Sequence, residues 1–218
     1  MTRLRSLNIR AGADNPLWKH QYLKRNLLDF LTHLELHISC LTPSDVVKYI
    51  FLKSLRSMSI SWMEEPKMPK LPKGISYGDS NLLSLRLESG FHLPEDALNE
   101  ILKYPKSLKT LVTNLPGRDV PKLYLQPGSK VTTPLVPDAV TRALDPTRLS
   151  LVELSLVDEE CEWPSQDRGR TDLSNFTVLK KLQISSRCYF LPGISARDSV
   201  AHLLPASLEE IEVWPISA

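Results

Sequence analysis

Apolar residues recur along this chain in one spaced triplet, Leu-x-x-Leu-x-Leu, which is repeated eight times with polar residues between the anchors. The copies are Leu4-Leu7-Ile9, Leu31-Leu34-Leu36, Leu55-Met58-Ile60, Leu82-Leu85-Leu87, Leu108-Leu111-Thr113, Leu151-Leu154-Leu156, Leu179-Leu182-Ile184 and Leu208-Ile211-Val213. Successive copies begin 27, 24, 27, 26, 43, 28 and 29 residues apart. A period of this length predicts repeated structural units that stack on one another.

The spacing within a triplet predicts a short strand. The last two anchors are two residues apart, which places both side chains on one face of a strand. Burying one Leu contributes roughly 1.5–3 kcal/mol, whereas ordering the backbone costs about 1–2 kcal/mol per residue. One repeat therefore cannot be stable alone, and we expect eight strands side by side in a parallel sheet over one shared core.

Helical signals lie between the triplets, as the crossovers of a parallel sheet require. Each signal is a capping residue or an early proline followed by apolar residues at helical spacing. The predicted helical faces are Leu17, Trp18, Leu23, Leu27 and Leu28 after Asn15-Pro16; Val46, Val47, Ile50 and Phe51 after Thr42-Pro43; Ala97, Leu98, Ile101 and Leu102 after Pro94; Ala139, Val140, Ala143 and Leu144 after Asp138; and Val200, Leu203 and Leu204 after Ser195 and Asp198. The chain is therefore predicted to be α/β. A general α/β sheet with incidental leucines is the alternative.

Three segments interrupt the repeat, at 62–81, 114–137 and 158–172. The first two are rich in proline, and the third changes from acidic to basic, so all three are predicted to be loops. Long insertions in repeat proteins often contact a ligand, although surface loops without a role fit equally well. Because a stack of repeats needs no internal boundary, residues 1–218 are interpreted as a single domain.

Composition narrows the class of partner and the compartment. Lys and Arg total 27 and Asp and Glu total 25, so no excess of basic residues favours nucleic acid. No run of 18 apolar residues or signal-peptide core occurs, so no membrane association is expected. Cys40, Cys161 and Cys188 are few and widely spaced, which fits a reducing compartment. We expect a cytoplasmic or nuclear protein.

Candidate catalytic chemistry is sparse. No glycine-rich phosphate loop, His-Glu-x-x-His or metal-ligand spacing occurs. Cys40 follows His33 and His37 and could suggest a thiol nucleophile, but both histidines lie at outward strand positions with nothing to orient them as a base. The acidic run at 158–162 lacks the spacing of a calcium loop. We therefore predict no catalytic residues, no metal and no cofactor.

The outward strand positions are the candidate binding surface. They are mostly small or polar, and exposed tryptophans beside them would make good interface anchors. The candidate residues are Asn8, Arg10, His33, Glu35, His37, Ser57, Ser59, Ser61, Trp62, Arg86, Glu88, Asn114, Glu153, Ser155, Lys181, Gln183, Glu210, Glu212 and Trp214. An amphipathic strand is polar outside in any case, so the pattern locates a surface without identifying a ligand.

The whole chain resembles leucine-rich-repeat proteins, and more narrowly the repeat region of fungal F-box proteins. The resemblance rests on irregular repeats of 24–29 residues with long Pro-rich inserts, and on the phrases LSNFTVLKKL at 173–182 and LLPASLEEI at 203–211. It implies an α/β solenoid of about eight irregular repeats, with a curved parallel sheet on the concave side and helices and loops on the convex side. In that family an F-box docks on the adaptor of a cullin-type ubiquitin ligase, and the repeats hold the substrate.

The sequence departs from that family in two respects. No F-box with its Leu-Pro opening precedes the first triplet, so we expect a fragment, a misjudged gene start or a paralogue without ligase docking. The Asn or Cys usual at the ninth motif position is replaced, and Cys40 and Cys188 fall one place late, so we expect an irregular arc. The residues found at that position are Ser39, Met63, Gly90, Glu159 and Arg187.

These patterns indicate a non-catalytic protein-binding module, with a free-standing scaffold or regulatory protein without a ubiquitin role as the alternative. The partner is expected to be a protein, with the ligase adaptor added only if an F-box lies upstream. The first strand starts close to Met1, so no N-terminal cap would shield the core. Because repeat stacks need polar caps, we expect the chain alone to aggregate or dimerise through that end.

Overall fold

The computed structural model describes residues 4–11, 28–41, 43–63, 76–88, 95–114, 137–157, 170–186 and 200–214. The strands are β1 (Ser6–Ala11), β2 (His33–Leu41), β3 (Ser57–Met63), β4 (Ser84–Glu88), β5 (Thr110–Asn114), β6 (Glu153–Val157), β7 (Lys181–Ser185) and β8 (Glu210–Trp214). The α-helices are α1 (Pro43–Ile50), α2 (Glu95–Leu102) and α3 (Pro137–Leu144), with short 3-10 helices at Asp145–Thr147 and Ala201–Leu203. Each strand contains the last two anchors of one triplet, which confirms the predicted strands and the α/β class.

The strands form one open, parallel sheet in the order β1 to β8. Leu85 on β4 is aligned with Met58 on β3 and with Leu111 on β5. Leu111 is aligned in turn with Leu154, although the two triplets are separated by the 43-residue step. Equivalent anchors therefore lie side by side on neighbouring strands, as the spacing predicts.

A backbone hydrogen-bond pattern repeats at the residue before each strand. The Arg5 carbonyl accepts from the N–H groups of Thr32 and His33, at 2.8 and 3.0 Å. The Lys109 carbonyl accepts in the same way from Val152 and Glu153, at 2.8 and 2.9 Å. All seven junctions between neighbouring strands of the described sheet have this pair of bonds. These bonds hold the start of each strand at the same position relative to the start of the preceding strand.

The anchors and the helices form one hydrophobic core. Every anchor of the six middle triplets is buried, including the polar Thr113 between Leu87 and Leu156. The buried helical residues are Val46, Val47 and Ile50 of α1, Ala97, Leu98, Ile101 and Leu102 of α2, and Ala139, Val140, Ala143 and Leu144 of α3. The helices therefore pack on the anchor face. The faces predicted for α2 and α3 are confirmed, and that of α1 is confirmed except for Phe51, which follows the helix and is partly buried.

The helix predicted after Ser195 and Asp198 is a single 3-10 turn over the residues that the structure describes. Its described part is the 3-10 helix Ala201–Leu203, and Leu204 is already extended, with ψ 144°. Pro205 explains this end, because a proline disfavours helical backbone at the residue before it. Of the helix predicted after Asn15-Pro16, residues 15–27 lie outside the described ranges, and Leu28 is buried.

The predicted loops are shorter than expected at their described ends. Trp62 belongs to β3, Asn114 to β5 and Pro137 to α3. Residues 76–81, predicted as loop, are anchored through Ser80, which forms an isolated parallel bridge with Pro105. Residues 64–75, 115–136 and 158–169 lie outside the described ranges.

Ser80 connects three neighbouring segments while almost fully buried. Its Oγ donates to the Ile50 carbonyl at 2.6 Å and accepts from the Leu82 N–H at 3.2 Å. Its backbone N–H donates to the Tyr104 carbonyl, and its carbonyl accepts from the Lys106 N–H. This one residue thus joins the end of α1, the segment before β4 and the turn after α2.

A second polar contact lies beside it, where Glu100 of α2 accepts three hydrogen bonds. The hydroxyls of Tyr77 and Tyr104 donate to Oε1 at 2.8 and 2.9 Å, and Lys103 Nζ donates to Oε2 at 3.2 Å. Partial burial acts to raise the pKa of Glu100, but the three donors outweigh it and lower that pKa below its ordinary value. Burial and the Glu100 hydrogen bond raise the pKa of Tyr104.

The alkaline stability of the protein should therefore depend on Tyr104. A phenol whose pKa is raised by folding stabilises the protein fully below the unfolded value of about 10, and that stabilisation is lost as the pH rises above it. In urea unfolding between pH 8 and 11, the free energy of unfolding of the wild type should fall more steeply than that of Tyr104→Phe. Glu100→Gln removes the charge that acts on Tyr104 and should also flatten the profile. Parallel profiles for all three proteins would contradict the assignment.

Candidate functional site

The face of the sheet opposite the core carries the outward strand positions, and we call it the open face. One row of it is formed by Ser6, His33, Ser57, Ser84, Thr110, Glu153, Lys181 and Glu210. The next row is formed by Asn8, Glu35, Ser59, Arg86, Val112, Ser155, Gln183 and Glu212. The candidates at these row positions, from all eight strands, are therefore on one continuous surface.

A shallow groove of about 260 Å³ crosses the open face from β4 to β8. Its lining residues are Arg86, Thr110, Leu111, Val112, Glu153, Leu154, Ser155, Lys181, Leu182, Gln183, Glu210 and Glu212. Seven of these side chains were predicted as candidates, namely Arg86, Glu153, Ser155, Lys181, Gln183, Glu210 and Glu212. Thr110 and Val112 are absent from the predicted set, although the triplet of β5 places both at outward positions.

Cross-strand contacts hold the polar groups of the groove. Lys181 Nζ lies 3.3 Å from Glu210 Oε2, and Gln183 Nε2 donates to Glu212 Oε2 at 2.7 Å. The Thr110 hydroxyl donates to Glu153 at 3.4 Å. The groove thus presents hydrogen-bond donors and acceptors, together with positively and negatively charged side chains. The cross-strand contacts partly fix the positions of these groups. Such groups can hydrogen-bond a polypeptide.

A second polar cluster occupies the open face at β1 and β2. Glu35 accepts a hydrogen bond from Asn8 Nδ2 at 2.5 Å, and its other carboxylate oxygen lies 2.5 Å from His37 Nε2. The His37 hydrogen bond is the main cause that lowers the pKa of Glu35 below its ordinary value. Ser57 and Ser59 on β3 separate this cluster from Arg86, so a stretch of small side chains lies between two charged ones.

Two candidates have little accessible surface. The side chains of Ser61 and Ser155 are on the outward side of their strands, yet the residues are only 5% and 6% exposed. Either can contribute little contact area to a partner. Trp62, Glu88 and Asn114 lie in strands of the open face, but their side chains are outside the described part of the structure. Trp214 is exposed at the edge of the sheet.

The histidines considered for thiol catalysis have other neighbours. His33 Nδ1 lies 2.8 Å from the Thr32 hydroxyl, and His37 is bonded to Glu35. The Cys40 side chain is outside the described residues. The expectation that nothing orients these histidines is therefore wrong for His37, whose Nε2 is held by the Glu35 carboxylate. His33 has only a local surface contact with Thr32 among the described contacts.

Within the described ranges, no group of three or more His, Cys, Asp or Glu side chains is placed to hold a metal ion. No helix in that part of the chain has the length and apolar character needed to span a membrane. Comparisons with known protein families, with curated proteins and with solved structures find no match to this chain.

Proposed function

We propose that this chain is a leucine-rich-repeat solenoid that binds a protein partner on the open face, which would be its concave side. The observation that carries the proposal is the continuous alignment of the outward positions of eight strands on the side of the sheet opposite one core of anchors. At a spacing of about 4.8 Å between strands, eight strands extend for roughly 34 Å. A surface of that length provides much of a standard protein interface, which buries roughly 800 Å² per partner.

The chemistry of the open face favours a polypeptide over a small molecule. Small-molecule sites are usually enclosed pockets with mostly apolar walls. This groove is instead lined by ion pairs and hydrogen-bonded amides, such as Lys181–Glu210 and Gln183–Glu212. Val112 supplies an apolar contact between Arg86 and Ser155. A partner segment with alternating polar and apolar side chains would match these groups.

The family resemblance extends the proposal to a role. We infer that the bound protein is a substrate for ubiquitylation, delivered by an F-box-like adaptor to which these repeats belong. What supports this step is the set of repeat lengths and phrases in the sequence, including those at 173–182 and 203–211.

Affinity capture with matched variants tests the binding surface. Arg86→Gln with Lys181→Gln removes two cations from the open face, and Lys48→Gln with Lys106→Gln removes two exposed cations elsewhere. A partner bound by the open face should be recovered roughly tenfold less by the first variant, which corresponds to about 1.4 kcal/mol, and equally by the control. Equal recovery by both variants would refute the surface. Recovery of a partner whose ubiquitylation does not depend on this chain would instead favour the scaffold role.

A further inference from the structure

The two edge strands of the described sheet combine exposed apolar anchors with opposite charges. At β8, Ile211 is 44% exposed and Val213 is 41% exposed; at the other end of the sheet Leu4, two residues before β1, is 39% exposed, and Leu7 and Ile9 of β1 are partly buried. Glu209, Glu210 and Glu212 are exposed at the β8 edge, whereas Arg5 and Arg10 are exposed at the β1 edge. Each edge thus has an apolar strip beside charges of one sign, and the two signs are complementary.

We propose that β8 of one copy of this chain pairs with β1 of a second copy, in the parallel register that joins every neighbouring pair within the sheet. In that register Ile211 lies beside Leu7 of the second copy, and Val213 lies beside Ile9, because second and third anchors are aligned at each junction. The Glu209 carbonyl then accepts from two N–H groups of the second copy, as the Lys180 carbonyl accepts from Glu209 and Glu210.

The side chains at this junction repeat contacts that already exist within one copy. Glu212 would meet Asn8, and Asn8 already donates to a glutamate, Glu35, on its other side. Glu209 would meet Arg5, as Lys180 meets Glu209 at 2.6 Å. Trp214 would lie beside Arg10, an arrangement that allows a cation–π contact. The proposed contact therefore buries the exposed anchors and pairs the charges of both edges.

Pairing of two identical edges is less favourable. Two β8 strands in antiparallel contact would place Glu210 and Glu212 of one copy close to the same glutamates of the other, and like charges opposite one another destabilise a sheet. Pairing of β8 with β1 avoids this repulsion, because the exposed charges of the two edges have opposite signs. A head-to-tail contact of this kind does not close on itself, so it produces a series of oligomers that lengthens with concentration.

This inference concerns the edges of the sheet. Its contact shares Asn8, Arg10, Glu212 and Trp214 with the candidate open-face surface, but the oligomers can be measured without any partner bound on the open face. It revises the expectation that self-association uses the β1 end alone, since both edges take part. The difference is measurable, because a contact between unlike ends can be blocked from either side and restored by mixing.

A mixing experiment tests the proposal. Val213→Lys blocks the β8 edge and Leu4→Lys blocks the β1 edge, because a charge on the apolar side of an edge strand prevents further pairing. In sedimentation velocity over a concentration series, the wild-type 218-residue chain should form a growing series of oligomers. Each variant alone should remain monomeric, and their equimolar mixture should give a dimer and nothing larger. Association of either variant alone, a monomeric mixture, or a wild type that is monomeric throughout would overturn the proposal.

Charge reversal gives a second test that leaves the apolar anchors in place. Arg5→Glu and Glu209→Arg each put like charges at the junction, so each alone should lose the larger species. The mixture should recover them, because the two reversed charges attract each other. Far-ultraviolet circular dichroism and urea unfolding verify that all four variants are folded. Folded charge variants that associate like the wild type would also overturn the proposal.

Discussion

Leu85→Ala should lower the free energy of unfolding by about 3 kcal/mol, since truncation of a buried leucine usually costs 2–5 kcal/mol. Leu85 is fully buried, with anchors aligned on both sides, Met58 and Leu111. Ile211→Ala should cost only about 1 kcal/mol, because Ile211 is largely exposed and part of its side chain already contacts water. The two residues occupy the same position in their triplets, so they form a matched pair.

Urea unfolding at low protein concentration measures both values without a contribution from self-association. A midpoint shift without a change in the slope of the transition identifies a change in stability. If both variants lost the same free energy, the anchors would not form a wall that is buried in the middle and open at the β8 edge.

Ser80→Ala should cost about 2 kcal/mol, although it removes a single oxygen atom. The substitution leaves the Ile50 carbonyl and the Leu82 N–H without the partner they have at present, 2.6 and 3.2 Å away. A buried polar group that loses its partner costs about 1–3 kcal/mol, because water cannot replace the bond. Ser80 is 1% exposed, so little water can reach this position.

Ser54→Ala is the control for this prediction. The Ser54 hydroxyl also donates to a carbonyl of the preceding repeat, that of Asp29, but the contact is accessible to solvent. We expect a loss of about 0.5 kcal/mol there, near the net value of an ordinary hydrogen bond. Thermal or urea unfolding of both variants gives the comparison, and similar losses at the two serines would argue against Ser80 as a buried junction.

The strands and their alignment could be predicted because they depend on local spacing. Two anchors two residues apart fix which face of a strand is apolar, and shifting a strand by one residue would expose them. This argument held even for the fifth triplet, in which Thr113 replaces an aliphatic residue and is still buried. The helix predicted before Pro205 is a single 3-10 turn over the described residues, and it ends where the proline disfavours helical backbone at Leu204.

The polar contacts between repeats could not be predicted from spacing. Ser54, Asn81 and Ser207 each stand directly before a first anchor and donate to carbonyls of the preceding repeat, those of Asp29, Lys53 and Leu179. The polar residues are visible in the sequence, for example Ser207 in the phrase at 203–211. Their acceptors are backbone atoms 25 to 28 residues away, and only the stacking brings them within reach.

In the candidate site, too, some features could be predicted from local spacing and others could not. Alternation along each strand was enough to place Glu153 and Lys181 on one face. Contacts such as that between Gln183 and Glu212 require the register of two strands, and the burial of Ser155 requires the size of its neighbours. Sequence therefore indicates which side chains share a surface, and the structure supplies the groove among them.

The paired bonds at the start of each strand have a consequence for how this molecule can change. The neighbours β5 and β6 begin at the same relative height as the others, although many more residues intervene between them. The length of a crossover therefore does not change the alignment of the outward rows. A reporter domain grafted between β5 and α3 should therefore leave those rows undisturbed.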